Sequence, residues 1–464
     1  MDPLSLRQIA EFAQGSLTAR DEGLTVSRIS TDSRTLQPGD LFVPIRGETF
    51  DGHKFVEQAG ERGAVGAMIE ENWKGTAAKT FALIRVPDTL AGYQTLAANY
   101  RRSLPLKVIA ITGSNGKTST KDFLAATLSR RFRVTKTEGN FNNHVGLPQT
   151  ILAASSRDEI AVWEIGMNHP GEIAALTNIA APDAAIITNV GLAHIEFMGS
   201  REAIAVEKGA LAEAIGADGT VILNADDPSS EGIAERTRAK VVFAGIEQGS
   251  VRAIEVRQSP TGCEFTILEG AHRCRAQLPV PGIHMVQNAI LAVAAGRAFG
   301  LSLEDCAAGL ASAPLTKARL QIREIHGIQF IDDSYNANPD SMKAALRTLV
   351  ELDADGRRVA VLGEMSELGD ESERGHREVG EAAAAFGIDE LIAVGATGAV
   401  IARAARKAGL EKSVSVDGAE AAAGLLEKTA SPGDLILVKG SRSARMEQVL
   451  EAFSKRPSPA EVTS

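Results

Sequence analysis

From about residue 104 onward, short and almost wholly apolar runs alternate with amphipathic stretches. Residues 108–112, 160–165 and 184–190 are apolar on both alternating faces, and a helix-like pattern separates each from the next. A strand buried on both faces reads as a continuous apolar run, and strands joined through helices pair in parallel, so this segment predicts a buried parallel sheet. After Pro314 the alternation restarts, predicting strands near 328–332, 359–363, 391–394, 414–416 and 435–438 and helices near 378–386, 398–407, 420–429 and 444–453. Glycines near the ends of these helices suit the turns of a second, doubly wound sheet. Upstream, residues 4–14 read as a helix, followed by short strands with turn chemistry at Gln37-Pro-Gly-Asp40 and over 48–52. The tail 455–464, with Pro457 and Pro459, is expected to fray.

The pattern therefore predicts an α/β protein of three domains. A small N-terminal α/β module spans 1–103, a central parallel-sheet domain 104–314, and a C-terminal Rossmann-like, doubly wound domain 315–464. A length of 464 residues agrees, being too long for one hydrophobic core. The formal charge of −10, with no lysine or arginine cluster beyond pairs such as Arg101-Arg102, argues against a nucleic-acid partner. Cys263, Cys274 and Cys306 form no CxxC pair, and the Met1-Asp-Pro-Leu-Ser start lacks a basic stretch followed by an apolar run. No apolar run approaches the roughly 20 residues that span a bilayer, so the expectation is a cytoplasmic protein without a membrane span.

The segment Ile111-Thr-Gly-Ser-Asn-Gly-Lys-Thr-Ser119 changes the picture most. It follows the first apolar strand and precedes a helix-like stretch over 121–131. A glycine turn between strand and helix aims backbone N–H groups and a helix N-terminus at one point, which favours a polyphosphate. In this reading Gly113, Ser114, Asn115, Gly116 and Ser119 cradle it, Lys117 adds a point charge and Thr118 an Mg²⁺-binding hydroxyl. Where the usual pattern puts the first glycine, this chain has Ile111. The reading makes the central domain a P-loop domain that binds ATP or GTP, of the ATPase type once the resemblance below is added.

In open parallel sheets ligands sit beyond the carboxyl ends of the strands, so polar residues at strand ends carry most weight. Glu164 ends the second central strand and can complete an Mg²⁺ site, or simply cap a turn. The third strand leads to Asn189-Val-Gly-Leu-Ala-His194. Beyond it, a helix predicted from the N-cap Ser200 puts Ile204, Lys208, Leu211 and Ile215 on one stripe, so Lys208 faces inward. Either its stem snorkels to an edge, or burial lowers its pKa and leaves a reactive amine. Asn288, near the start of a helix predicted over 289–300, offers an amide that matches adenine or caps the helix. Arg319 can reach across a cleft to a γ-phosphate, although most lone arginines are solvated.

Together these residues resemble the Mur ligase family: Thr112-Gly-Ser-Asn-Gly-Lys-Thr-Ser119, Glu164, Ile187-Thr-Asn-Val-Gly-Leu-Ala-His194, Glu207-Lys208, Gly282-Ile-His to Asn288-Ala289, and Arg319. Three further segments are most similar to the member that joins D-alanyl-D-alanine to UDP-N-acetylmuramoyl-tripeptide. They are Thr137-Glu-Gly-Asn-Phe-Asn-Asn-His-Val-Gly-Leu-Pro148, Asp332-Asp-Ser-Tyr-Asn-Ala-Asn-Pro339 and Leu362-Gly-Glu-Met-Ser-Glu-Leu-Gly369. An Asp-Asn-Pro-Arg signature, carried by the sister enzyme that adds a diamino acid, is absent. The resemblance implies a three-domain ATP-dependent ligase acting through an acyl phosphate, and the chain is expected to be a monomer. It implies Thr118 and Glu164 on one Mg²⁺, and His194 with a carbamylated Lys208 on a second. It further implies Asn288 on adenine, Asp333 on ribose and Arg319 on the transferred phosphate. Asp32, Ser33, Arg34, His53, Asn140, Asn142 and Asn143 would hold the UDP-linked substrate, and Tyr335, Asn336 and Asn338 the dipeptide. The C-terminal domain is expected to close over the site and bring Arg319 and Tyr335 inward. A folate polyglutamate ligase, which should lack the Thr31-Asp-Ser-Arg34 module, and a non-catalytic cell-wall scaffold are the rival readings.

Overall fold

A computed structural model describes residues 1–18, 23–47, 49–78 and 80–456. Glu48 of the predicted 48–52 turn and most of the tail, with Pro457 and Pro459, lie outside these. Among the described residues three larger sheets follow one another along the chain, beside a two-stranded one near the N-terminus. The first has the strand order Ser16–Thr18, Ala82–Val86, Gly66–Glu70, Leu41–Phe42, Ile29–Ser30, parallel except for its first pair. The predicted N-terminal helix is shorter, Leu6–Phe12, because Leu4–Ser5 pairs with Thr25–Val26 and Ser5 then caps the helix in a reciprocal box with Gln8.

The central sheet has nine strands. Seven run parallel in the order Val134–Lys136, Ile160–Glu164, Lys107–Thr112, Ala184–Ile187, Thr220–Asn224, Lys240–Gly245, Val251–Ser259. Two more, Gly262–Glu269 and His272–Leu278, extend it as an antiparallel meander. The expected all-parallel sheet is corrected there: half-solvated strands alternate polar and apolar residues, and short turns at 260–261 and 270–271 leave no room for crossover helices. Strand Lys107–Thr112 lies where the connections change direction, the topological switch point at which such sheets bind ligands.

The third sheet orders Gln321–Ile325, Ile328–Asp333, Leu435–Lys439, Arg358–Leu362, Glu390–Val394, Ser413–Val416, parallel except for the first hairpin, whose outer strand the apolar pattern did not predict. Two helices differ from expectation. One starts earlier, Ser372–Ala385, because its polar first turns carry no apolar stripe; the other is Glu447–Ser454, preceded by a short 3-10 turn. On Ile160–Glu164, the second strand from one edge of the central sheet, Trp163 is fully buried. Trp163→Ala is expected to remove about 3–5 kcal/mol of stability, seen as a lower urea midpoint by circular dichroism; an unchanged midpoint would contradict this packing.

Candidate active site

The P-loop helix begins at Lys117 and runs to Leu128, earlier than the expected 121–131, because Gly116 at φ +82° makes the turn into it. Residues 188–191 of the neighbouring strand end brace the loop. Ser114 N donates to Asn189 O at 3.0 Å, Asn115 N to Asn189 Oδ1 at 2.9 Å, and Gly191 N to Ser114 Oγ at 2.8 Å. A Cβ at Gly113, where φ is +151°, would fall 1.8 Å from Thr188 Oγ1; one at Gly116 would fall 2.1 Å from Asn288 Oδ1. Asn288 is not a cap: its helix is Ile283–Ala298, and the buried amide packs against the loop.

The loop opens on a cleft of about 780 Å³ that is walled by both the central and the C-terminal domain. It brings together Ser114 to Ser119, Asn140, Asn142, Asn143, Glu164, His194, Asn288, Arg319, Asp333, Tyr335, Asn336 and Asn338. Lys117 Nζ donates to Gly113 O at 2.7 Å, and desolvation in the cleft lowers its pKa against the pull of Glu164. Glu164 is 1% exposed; Oε2 accepts from Asn142 Nδ2 at 3.3 Å. Its Oε1 sits 3.3 Å from Lys121 Nζ, a charge contact without a directed hydrogen bond. Lys121, fully buried four residues beyond Lys117, escaped the sequence reading although its place on the P-loop helix is a recognisable signal.

Lys208 lies on the helix Arg201–Glu213, capped by Ser200 as the pattern predicts, and is 1% exposed. Among the described residues no hydrogen bond or ion pair holds it. Burial first, and the charge of Lys117 second, push its amine well below the ordinary lysine range, opposed by Glu207. It stands behind the cleft wall rather than on it. Across the cleft, Arg319 stacks on Tyr335 with 4.2 Å from Cζ to the ring centre, while its buried Nε has no hydrogen-bond partner among the described residues. Its neighbours Ala318 and Leu320 both have left-handed backbones, at φ +58° and +53°.

Some predicted residues turn out to be committed elsewhere. Asn338 caps the helix Pro339–Glu351 through Ser341 N and gives its Nδ2 to Asn115 Oδ1 at 2.8 Å, so its amide is used on both sides. Asn143 Oδ1 accepts from Val145 N and Gly146 N and starts the next helix. Asp333 accepts from Lys439 Nζ at 2.5 Å, an ammonium that also donates to Asn336 O at 2.9 Å. The sequence reading missed Lys439, although it ends an apolar strand just as Glu164 does. Asp32, Ser33, Arg34 and His53 do not line the cleft. Asp32 is held down to about 2 by its hydrogen bonds from Arg34. His53 is buried, with Nδ1 2.8 Å from Asp51 and Nε2 accepting from Glu70 N at 3.4 Å, so neither ring nitrogen is free.

Burial pushes His284, another cleft residue, down to about 4, which leaves it neutral near pH 7. No group of three or more His, Cys, Asp or Glu side chains stands ready for a metal among the described residues. No helix among them is long and apolar enough to cross a membrane.

A phosphate-cradling loop at a switch point, facing an arginine from a second α/β domain across one cleft, defines a multidomain P-loop protein. The chain belongs to the Mur ligase family. Residues 25–101 match the Mur ligase family catalytic domain, 111–296 the Mur ligase middle domain, and 318–442 the Mur ligase glutamate ligase domain. The chain is 40% identical to the UDP-N-acetylmuramoyl-tripeptide--D-alanyl-D-alanine ligase of Bacillus subtilis, over 98% of this chain and 99% of that one. With its Escherichia coli counterpart the identity is 36%, over 98% and 99%. A crystal structure of MurF from Acinetobacter baumannii superposes with a TM-score of 0.90 at 34% identity, covering 98% of this chain and all of that one. The Thermotoga maritima MurF ligase in complex with ADP gives 0.84 at 29% identity, covering 94% and 98%.

Proposed function

We propose that this chain is an ATP-dependent ligase that adds D-Ala-D-Ala to UDP-N-acetylmuramoyl-tripeptide, acting in the cytoplasm as a monomer. The observation that carries this reading is the single cleft in which P-loop Lys117, buried Glu164 and C-terminal-domain Arg319 converge. The full-length identity to ligases of that name supports it. The central domain (104–314) would hold ATP, the N-terminal domain (1–103) the UDP moiety, and the C-terminal domain (315–464) the incoming dipeptide.

The chemistry follows from charge. A peptide carboxylate is a poor electrophile, so its oxygen first attacks the γ-phosphorus of ATP, ADP leaves, and an acyl phosphate forms. The free amine of D-Ala-D-Ala then attacks the acyl carbon; the tetrahedral intermediate expels phosphate and the amine loses a proton. Lys117 and Arg319, on opposite walls, offset the repulsion between two anions in the first step. In this reading Asn288 would offer its amide to adenine and Asp333 its carboxylate to the ribose.

The residues fit Mg²⁺ bound partly through nucleotide phosphates: Glu164 Oε1 is a buried carboxylate oxygen with no hydrogen bond, and Thr118 lines the same cleft. Bound there, Mg²⁺ would neutralise developing phosphate charge. For a second ion, His194 and Lys208 fit only if the neutral Lys208 amine takes up CO₂, forming an N–C bond and releasing a proton. CO₂-free dialysis should then lower activity, and bicarbonate should restore it in the wild type but not in Lys208→Ala. Equal activity of both proteins, with and without bicarbonate, would remove this role.

The deciding experiment is phosphate release from ATP with UDP-N-acetylmuramoyl-tripeptide, with and without D-Ala-D-Ala. Release that depends on the dipeptide supports the reading. Release only with glutamate and a folate would assign the chain to folate ligases instead, and none with any acceptor would favour a scaffold.

A further inference from the structure

We propose that Glu367, carried by the C-terminal domain, is a positioning residue: it accepts the Nδ1 proton of His194 across the domain boundary and so aims Nε2 of that ring into the cleft. The two groups meet at 2.6 Å from Nδ1 to the carboxylate, a close contact in which the ring N–H does not yet point at the oxygen, so a small rotation of the imidazole completes the bond. The inference rests on the reading of His194 as a site residue, but its first test does not use substrate.

Both partners sit in unusual backbone. His194 has φ +63° and Glu367 φ +60°, and neither is glycine. Left-handed conformations at such residues cost of order 1–3 kcal/mol each and persist where the surroundings over-determine them. The surroundings do so here. Gly363 N donates to Lys439 O at 2.8 Å and Met365 N to His376 Nε2 at 2.9 Å, while Ser366 Oγ bonds Ser441 and Ser443. The arm over 363–366 is thus tied to its own domain, and Leu368 beyond the tip is buried. On the other side Glu196 N reaches Glu367 O at 3.4 Å, and Gly369 packs against Glu196.

Glu367 is partly exposed, and a contact to such a carboxylate contributes only about 0–1 kcal/mol, too little to explain two strained residues facing each other. An oriented imidazole explains them. Because one ring nitrogen of neutral histidine is protonated, a carboxylate on Nδ1–H leaves Nε2 as the lone-pair donor. Carboxylate partners of this kind hold metal- and phosphate-facing histidines in one tautomer, and their loss typically costs about 10–100-fold in affinity or activity. Since Glu367 and His194 belong to different domains, the orientation exists only while the domains are docked.

The test is ¹⁵N NMR of histidine-labelled full-length protein, with the His194 signal assigned by its loss in His194→Asn. Wild type should show the Nδ1–H tautomer. Glu367→Ala should shift the ring toward Nε2–H, and Glu367→Gln, which keeps an acceptor oxygen, should not. In the phosphate-release assay Glu367→Ala should lower kcat about 10–100-fold with the KM for ATP within about twofold. An Nε2–H ring in wild type, an unmoved tautomer in Glu367→Ala, or an unchanged kcat overturns the proposal. The tautomer result stands whichever substrate the enzyme uses, so failure of the ligase reading is separately visible.

Discussion

Lys117→Met is expected to lower kcat/KM for ATP by about 10³-fold, roughly 4 kcal/mol of transition-state stabilisation. The ammonium occupies the P-loop mouth, bonded to Gly113 O, with the charges of Glu164 and Arg319 nearby. Methionine matches its length without charge, so the loop keeps its shape and the loss reads out electrostatics alone. A second consequence follows from the same geometry. The Lys117 charge is the second-largest cause of the depressed Lys208 amine, so the substitution should raise the Lys208 pKa, detectable as slower labelling by an amine reagent at fixed pH. Steady-state kinetics at saturating acceptor checks the first expectation, and a loss below tenfold would remove Lys117 from the phosphate site.

Gly116→Ala is the other large effect. With φ at +82° an alanine is strained by about 1–3 kcal/mol whatever the space around it. Its Cβ would also sit 2.1 Å from Asn288 Oδ1, so the amide on the Ile283–Ala298 helix must move. Nucleotide affinity should fall by at least about tenfold, measured by calorimetry with an ATP analogue. Adding Asn288→Ala removes the clash but not the strain, and should recover stability without recovering affinity if Asn288 itself contacts the base. Recovery of both would reduce Asn288 to a packing residue.

The strand-end rule located much of the candidate site. Lys117, Glu164 and His194 follow three central strands, and a buried parallel sheet exposes only its ends to a ligand. Lys208 was legible for a different reason, the 4, 3, 4 spacing of its stripe, and the structure buries all four of its members. Lys439 obeys the strand-end rule in the second sheet, where it escaped notice. Glu367 obeys none, being a loop carboxylate without periodicity, and the pairing of Asn338 with Asn115 joins residues more than two hundred positions apart.

The amino-acid sequence by itself determined the three α/β units, the phosphate loop and the inward lysine, because hydrophobic period and glycine turns act over a few residues. The tertiary structure alone decided which amides were free and which were caps, that His53 is enclosed, that the central sheet ends antiparallel, and that Lys439 and Glu367 join the P-loop cleft that Arg319 and Asp333 were expected to reach. Those outcomes depend on how separate units dock, and docking is settled by surface complementarity between distant segments, which no local pattern encodes.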